Sequence, residues 1–201
     1  MRLEKNGRSI IIDPGVMTPG TSAIRDVDAI LITHEHFDHF DAGRVLAAAA
    51  HAPHVVVHTG PGVARQLTSL GDQLHVVEHG DVFMTAGFTV RTIGGKHHQT
   101  HPDTPPVDNV GFMVDCEVFH PGDALTVVDV PTLLAPAHAP WMSVTDLVTY
   151  LREVKPSRAY GIHDGLLNEW GLRSVDGVLE REARRLRADI RRLRVGESVK
   201  V

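Results

Sequence analysis

The stretch THEHFDHFD, residues 33–41, packs three histidines and two aspartates into nine positions directly behind the apolar run AILI. So many metal-seeking groups in one turn make physical sense when a cation sits among them. Residues two apart on a strand point the same way, so His34 and His36 can leave a strand at 28–33 facing one point in space. Asp38 continues that spacing. His39 is displaced by one position and can face a neighbouring point once the chain turns into a helix at 41–52. The spacing thus predicts two ligand pairs for two adjacent ions, His34 with His36 and Asp38 with His39.

Each pair is underfilled, because an open catalytic site usually carries about three protein ligands. Further candidates stand at expected strand ends: His97 or His98 in GGKHHQTH, Asp123 in FHPGD and His163 in GIHDG. The chain has a single cysteine, Cys116, which excludes an internal disulfide and a cysteine-rich metal site. That usage fits a reducing cytoplasm, and it leaves carboxylates and the fourteen histidines as ligands. Lone histidines at 51, 54, 58, 75 and 79 read as ordinary surface or core residues.

The 201 residues suit a single domain spanning 1–201, and the net charge of -5 exerts no general pull on nucleic acid or anionic membrane. No segment approaches the roughly 20 apolar residues that span a bilayer. The start MRLEKNGRSIIID lacks the apolar core of a secretory signal, so a cytoplasmic location is expected. REARRLRADIRRLR (181–194) holds seven arginines, but the charges are mixed. Glu180 with Arg184 and Arg185 with Asp189 are expected to pair along a solvated helix face, which argues against a nucleic-acid partner.

Short β-branched runs predict strands at 9–13, 28–33, 54–59, 74–79 and 88–94, then at 109–115, 117–123, 132–137 and 158–163. Helices are expected at 41–52, 61–70 and 143–154, the last capped by Ser143. A final helix from about Ser174 would turn Leu179, Ala183, Leu186 and Ile190 to the core, and 195–201 would close as a hairpin arm. Close antiparallel pairs at 74–94 and 109–120 favour two packed sheets covered by helices over one parallel sheet.

With these residues in order, the chain resembles the metallo-β-lactamase-fold superfamily, marked by His-x-His-x-Asp-His followed at long intervals by His, Asp and His. The matching positions are His34, His36, Asp38 and His39, then His97, Asp123 and His163. IIIDPG before the motif matches too. FHPGD, APAHAPW and IHDG resemble more narrowly the small metal-dependent hydrolases allied to the ascorbate-phosphate lactonase branch. The resemblance implies an α+β fold, a four-layer αββα sandwich with the metals at one edge between the sheets. It implies His34, His36 and His97 on one ion, Asp38, His39 and His163 on the other, and Asp123 bridging. Asp38 and Asp123 are then the catalytic carboxylates. Asp13 and His120 would orient ligands from behind, and His138, Trp141 and His101 would face substrate, with Phe37 a further possible wall of the pocket.

The implied cofactor is a pair of divalent ions, zinc first, with manganese or iron also compatible with these ligands. Such an ion lowers the pKa of water from about 15.7 to about 7, worth ~12 kcal/mol in hydroxide availability. The implied activity is a dinuclear metal-dependent hydrolase whose metal-bound hydroxide attacks a small ester, lactone or phosphodiester. A di-iron redox protein is the alternative of another class, but there a glutamate commonly replaces the second histidine, and here His36 stands in that place. A non-catalytic metal-binding module and a nuclease are weaker alternatives. Relatives usually begin with a further strand, whereas Met1 falls inside the first hairpin, so an exposed edge strand able to pair two copies is expected.

Overall fold

The computed structural model describes residues 1–20 and 22–201. Five strands form the first sheet: β1 (Arg2–Lys5), β2 (Arg8–Ile12), β3 (Ala29–Ile32), β4 (Val56–Thr59) and β5 (Leu74–Val76), in that spatial order. β1 and β2 are an antiparallel hairpin, with β1 on the sheet edge, and the other pairs are parallel. The second sheet has seven strands: β6 (Val82–Thr85), β7 (Phe88–Ile93), β8 (Gly111–Val114), β9 (Val118–His120), β10 (Thr132–Pro136), β11 (Arg158–Ile162) and β12 (Asp189–Arg192). These also neighbour one another in chain order, antiparallel from β6 to β9 and parallel from β9 to β12.

Every residue of β3 is buried, as a parallel strand covered on both faces requires. One face meets α1 (Ala42–His51) and the single-turn α2 (Pro61–Ala64), where Val45, Val63 and Leu67 pack on Ile30, Ile32 and Val57. The other face meets the second sheet, Ile10, Ile12 and Leu31 packing on Val90, Phe112 and Val114. Beyond that sheet α3 (Val144–Val154) and α4 (Glu169–Leu186) lay Leu147, Leu151, Val175 and Leu179 on Phe119, Leu133 and Ala159. The expected four-layer αββα sandwich is the observed one. Among the described residues, no helix is long and apolar enough to cross a membrane.

Local chemistry sets the boundaries. Asp41 accepts from the Arg44 N–H at 3.1 Å and so starts α1 directly after the histidine motif. Ser143 and Asp146 form the reciprocal box that starts α3: the Asp146 N–H donates to Ser143 Oγ, and the Ser143 N–H donates to the Asp146 carboxylate.

Several expectations need correction. The helix expected at 61–70 is only α2, followed by a 3-10 segment at Thr68–Gln73 whose Gly71 carries a φ of 54°. β5 pairs in parallel with β4, so the antiparallel pair within 74–94 is β6 with β7. α4 starts at Glu169 rather than Ser174, because Asn168 Oδ1 accepts from the N–H groups of Trp170 and Gly171. It ends at Leu186, and Ile190 is buried as part of β12 instead. Asp189 therefore accepts from the Tyr160 hydroxyl at 3.0 Å in place of the expected Arg185 pair, while Glu180 does pair with Arg184 at 2.8 Å. Residues 195–201 form a turn with no strand.

Candidate metal centre

β3 stops at Ile32, and the motif crosses a tight turn in which the His36 carbonyl accepts from the N–H groups of His39 and Phe40. His34 and His36 therefore meet across that turn and not by strand alternation, their rings T-shaped at 4.7 Å. Loops at the ends of strands in the second sheet bring in His97, Asp123 and His163. Two groups of ligand atoms result, each within 4.8 Å: His34, His36, His97 and Asp123, and Asp38, His39 and His163. Asp123 faces both, with Oδ2 at 3.2 Å from His97 Nε2 and from His163 Nε2, and Oδ1 at 3.1 Å from His39 Nε2.

The far side of four of these rings is tied to an acceptor. His39 Nδ1 donates to Asp13 Oδ2 at 2.6 Å, His163 Nδ1 to the His138 carbonyl at 2.7 Å, and His97 Nδ1 to the His98 carbonyl at 2.5 Å. His34 Nδ1 lies 3.0 Å from Thr33 Oγ1, whose hydroxyl donates to Asp13 at 2.7 Å and so leaves the oxygen to accept. With the proton on Nδ1, each Nε2 presents a lone pair to the centre. His34 Nε2 also faces His36 Nδ1 at 3.1 Å. Buried and without a hydrogen-bond partner are His39 Nε2, His97 Nε2, His163 Nε2 and Asp123 Oδ1. Buried polar atoms normally have partners, so these converging orphans fit bound cations.

Glycines and strained backbone hold this arrangement. A Cβ on Gly122, at a φ of 63°, would lie 2.2 Å from Asn109 Oδ1, and that same oxygen accepts from the Asp123 N–H at 3.0 Å. A Cβ on Gly15 would lie 2.0 Å from the Asp38 carbonyl, so the loop after β2 sits directly on the motif turn. Asp13 and His163 take positive φ values of 52° and 62° without being glycine. Such conformations cost on the order of 1–3 kcal/mol and concentrate at functional sites. At Asp13 the cost is offset by three donors: the Thr33 N–H, the Thr33 hydroxyl and His39.

Electrostatics follow from the same contacts. Burial would raise the pKa of Asp123, but His163, His39 and His97 together hold it far below the carboxylate range. Burial would lower His39 and His163; the carboxylates Asp13 and Asp123 instead lift His39 to about 9, and Asp123 with Asp38 lift His163 to about 11. His34 is driven well below its ordinary 6.5 by burial and by His39. Without metal, protons on His39 and His163 balance the carboxylates that ions would otherwise satisfy.

Of the two neighbouring histidines, the structure brings in His97, which is buried; His98 is exposed and stacks on Trp141 at 4.8 Å. His101 is exposed and accepts from Asp103 in its own loop, outside both groups. His138 meets the centre through its backbone carbonyl. Trp141 Nε1 donates to Asp123 Oδ2 at 2.9 Å. Phe37 is 63% exposed on the motif turn. His120 lies buried 3.9 Å from Asp13, behind His39. Glu35 lies against Gly62 in α2, away from both groups. Sequence reasoning missed Thr33, Asn109 and Gly122; the signal for Thr33 was its place between the strand run AILI and the first motif histidine.

Residues 1–163 match the Beta-lactamase superfamily domain. Protein Rv0786c of Mycobacterium tuberculosis is 38% identical over 165 residues, 79% of this chain and 76% of that protein. A hydroxyacylglutathione hydrolase of Klebsiella pneumoniae is 37% identical over 43% of this chain and 38% of its own length. A UPF0173 metal-dependent hydrolase of Cupriavidus necator is 38% identical over 32% of this chain and 24% of its own length. This chain thus spans less than half of the latter two. Igni18, a metallo hydrolase of Ignicoccus hospitalis, superposes with a TM-score of 0.72 at 18% identity, covering 98% of this chain and 92% of that one. Its fold is shared. The chain belongs to the beta-lactamase superfamily, as a metal-dependent hydrolase of the metallo-β-lactamase fold.

Proposed function

We propose that the chain is a dinuclear hydrolase of small esters, lactones or phosphodiesters. The observation that carries this reading is the set of partnerless polar atoms, Nε2 of His39, His97 and His163 and Oδ1 of Asp123, converging while the three rings are tied from behind. His34, His36 and His97 would hold one divalent ion, Asp38, His39 and His163 the other, and Asp123 would serve both. Zinc suits these nitrogen and oxygen donors, as do manganese and iron. When bound, such ions supply an acidified water and an electrophile for developing negative charge.

The chain's own residues divide the remaining work. Asp13 and Thr33 fix the tautomers of His39 and His34, so the donor atoms need no rearrangement. Asp38, with 20% of its side chain exposed against 4% for Asp123, is the carboxylate at the mouth, and its Oδ2 faces His163 Nε2 at 3.2 Å, where it would share an ion with that ring. A cavity of about 250 Å³ runs from Asp38, His39 and His163 to Met17, Ile162 and Leu166. The only cysteine, Cys116, is exposed in the turn between β8 and β9, away from the centre.

Elemental analysis with a substrate panel tests the proposal. Two ions per chain are expected, with turnover of at least one of lactones, phosphodiesters, carboxylic esters and acylglutathione thioesters, abolished by chelation. Fully metal-loaded protein inert across that panel sinks the reading and leaves a binding module. Visible absorption from an oxo-bridged iron pair would point to redox chemistry instead.

A further inference from the structure

We propose that Trp141 is a positioning residue of the metal centre, its indole N–H holding Asp123 in the orientation that serves both ligand groups. The inference rests on the metal-centre reading above. Asp123 has an unusual task, because its two oxygens face three histidines from both groups at 3.1–3.2 Å. The terminal torsion of an aspartate is broad, so packing alone sets its carboxylate plane poorly. Asn109 fixes the backbone of Asp123 through its N–H but does not reach the carboxylate. With the histidines turning their Nε2 lone pairs to an ion, the donor left to that carboxylate among the described residues is Trp141 Nε1, at 2.9 Å from Oδ2.

An indole suits this position on chemical grounds. It donates one hydrogen bond, accepts none and carries no charge, so it orients the carboxylate without competing for a cation. The ring itself is held: it stacks on His98 at 4.8 Å with planes 23° apart, and lies edge-on to His97 at 5.6 Å. The paired histidines of GGKHHQTH thereby divide their roles. His97 turns inward to the centre, and His98 is the platform that keeps the indole aimed at Asp123.

The test uses the full chain, stripped by chelation and titrated with Zn2+. The protein has two tryptophans, so Trp170→Phe leaves Trp141 as the sole indole reporter. Its emission is expected to change with Zn2+ and to saturate at the stoichiometry given by elemental analysis. Trp141→Phe keeps an aromatic ring and deletes the donor; chelator competition should show Zn2+ affinity falling roughly 10- to 100-fold, the usual effect of losing an orienting partner. His98→Ala keeps the donor and loosens its platform, so its loss should be smaller. Wild-type affinity in Trp141→Phe overturns the assignment, as does an equal loss in His98→Ala, which would make ring packing the cause. Should Trp141→Phe not fold, the Trp170→Phe titration still decides: two ions bound with no change in Trp141 emission overturns it. A wild-type chain that takes up no Zn2+ overturns the metal-centre reading itself, which separates that failure from this one.

Discussion

Among the described residues, two places bury imidazoles with partnerless nitrogens, and they behave in opposite ways. At the metal centre the rings are tied through Nδ1, and their free nitrogens converge on Asp38 and Asp123. Between the open ends of the sheets His58, on β4, is clamped between Phe83 at 4.2 Å and His75 at 5.0 Å, with neither nitrogen partnered. Carboxylates lift His39 to about 9 against its burial; burial and the neighbouring His75 push His58 down to about 4. Burial of a histidine therefore says little alone. A tether behind the ring and a carboxylate in front of it distinguish a ligand from a core residue.

The largest expected effect breaks the first region at its centre. Asp123→Asn removes the charge that both groups share, and elemental analysis should find fewer than two ions per chain. Activity on a substrate found in the panel should fall by more than the roughly 100-fold that losing a mere orienting partner costs. Two ions and near-native turnover in this variant would dissolve the distinction drawn above.

Acidity sharpens the contrast, because the two regions have opposite signs. In metal-free protein His39 and His163 have folded pKa values of about 9 and about 11 against an ordinary 6.5. Their stabilisation is complete below 6.5 and drains away as pH rises through those values. His58, with a folded pKa of about 4, costs nothing above 6.5 and destabilises the fold as pH falls from 6.5 toward 4. Thermal melts of chelated protein should thus fall off on both flanks, and loading with Zn2+ should release protons near neutral pH and remove the alkaline flank. A flat alkaline limb without metal would contradict the tethered-ring account.

The smallest effect concerns the core histidine. His58→Leu replaces two unsatisfied nitrogens by a side chain of similar volume, and should raise stability by about 1–2 kcal/mol in denaturant unfolding while flattening the acid flank. Loss of stability would mean that His58 has a partner in solution.

The candidate ligand side chains were legible before the fold because they are chemically rare in combination: four stand within His34–His39, and His97, Asp123 and His163 follow at strand ends. What escaped was whatever acts through the backbone. The carbonyls of His98 and His138 orient His97 and His163, and a carbonyl carries no residue signature. The strands read best where β-branched runs are buried on both faces, as in β3. β6 was missed because it is short and mostly exposed, and β12 because the arginine-rich run continues the helical composition of α4 past the left-handed Arg187 that ends it. Gly171 reads as a helix breaker, which hid the start at Asn168.

The contact of Gly15 with the motif turn bears on redesign. Any side chain at Gly15 would wedge the loop away from the Asp38 carbonyl. Its neighbours Val16 and Met17 are 44% and 43% exposed, and Met17 lines the cavity that reaches Asp38 and His163. A combinatorial library should therefore randomise 16 and 17 to retune what enters, and leave 15 untouched as the hinge pin on which the doorway hangs.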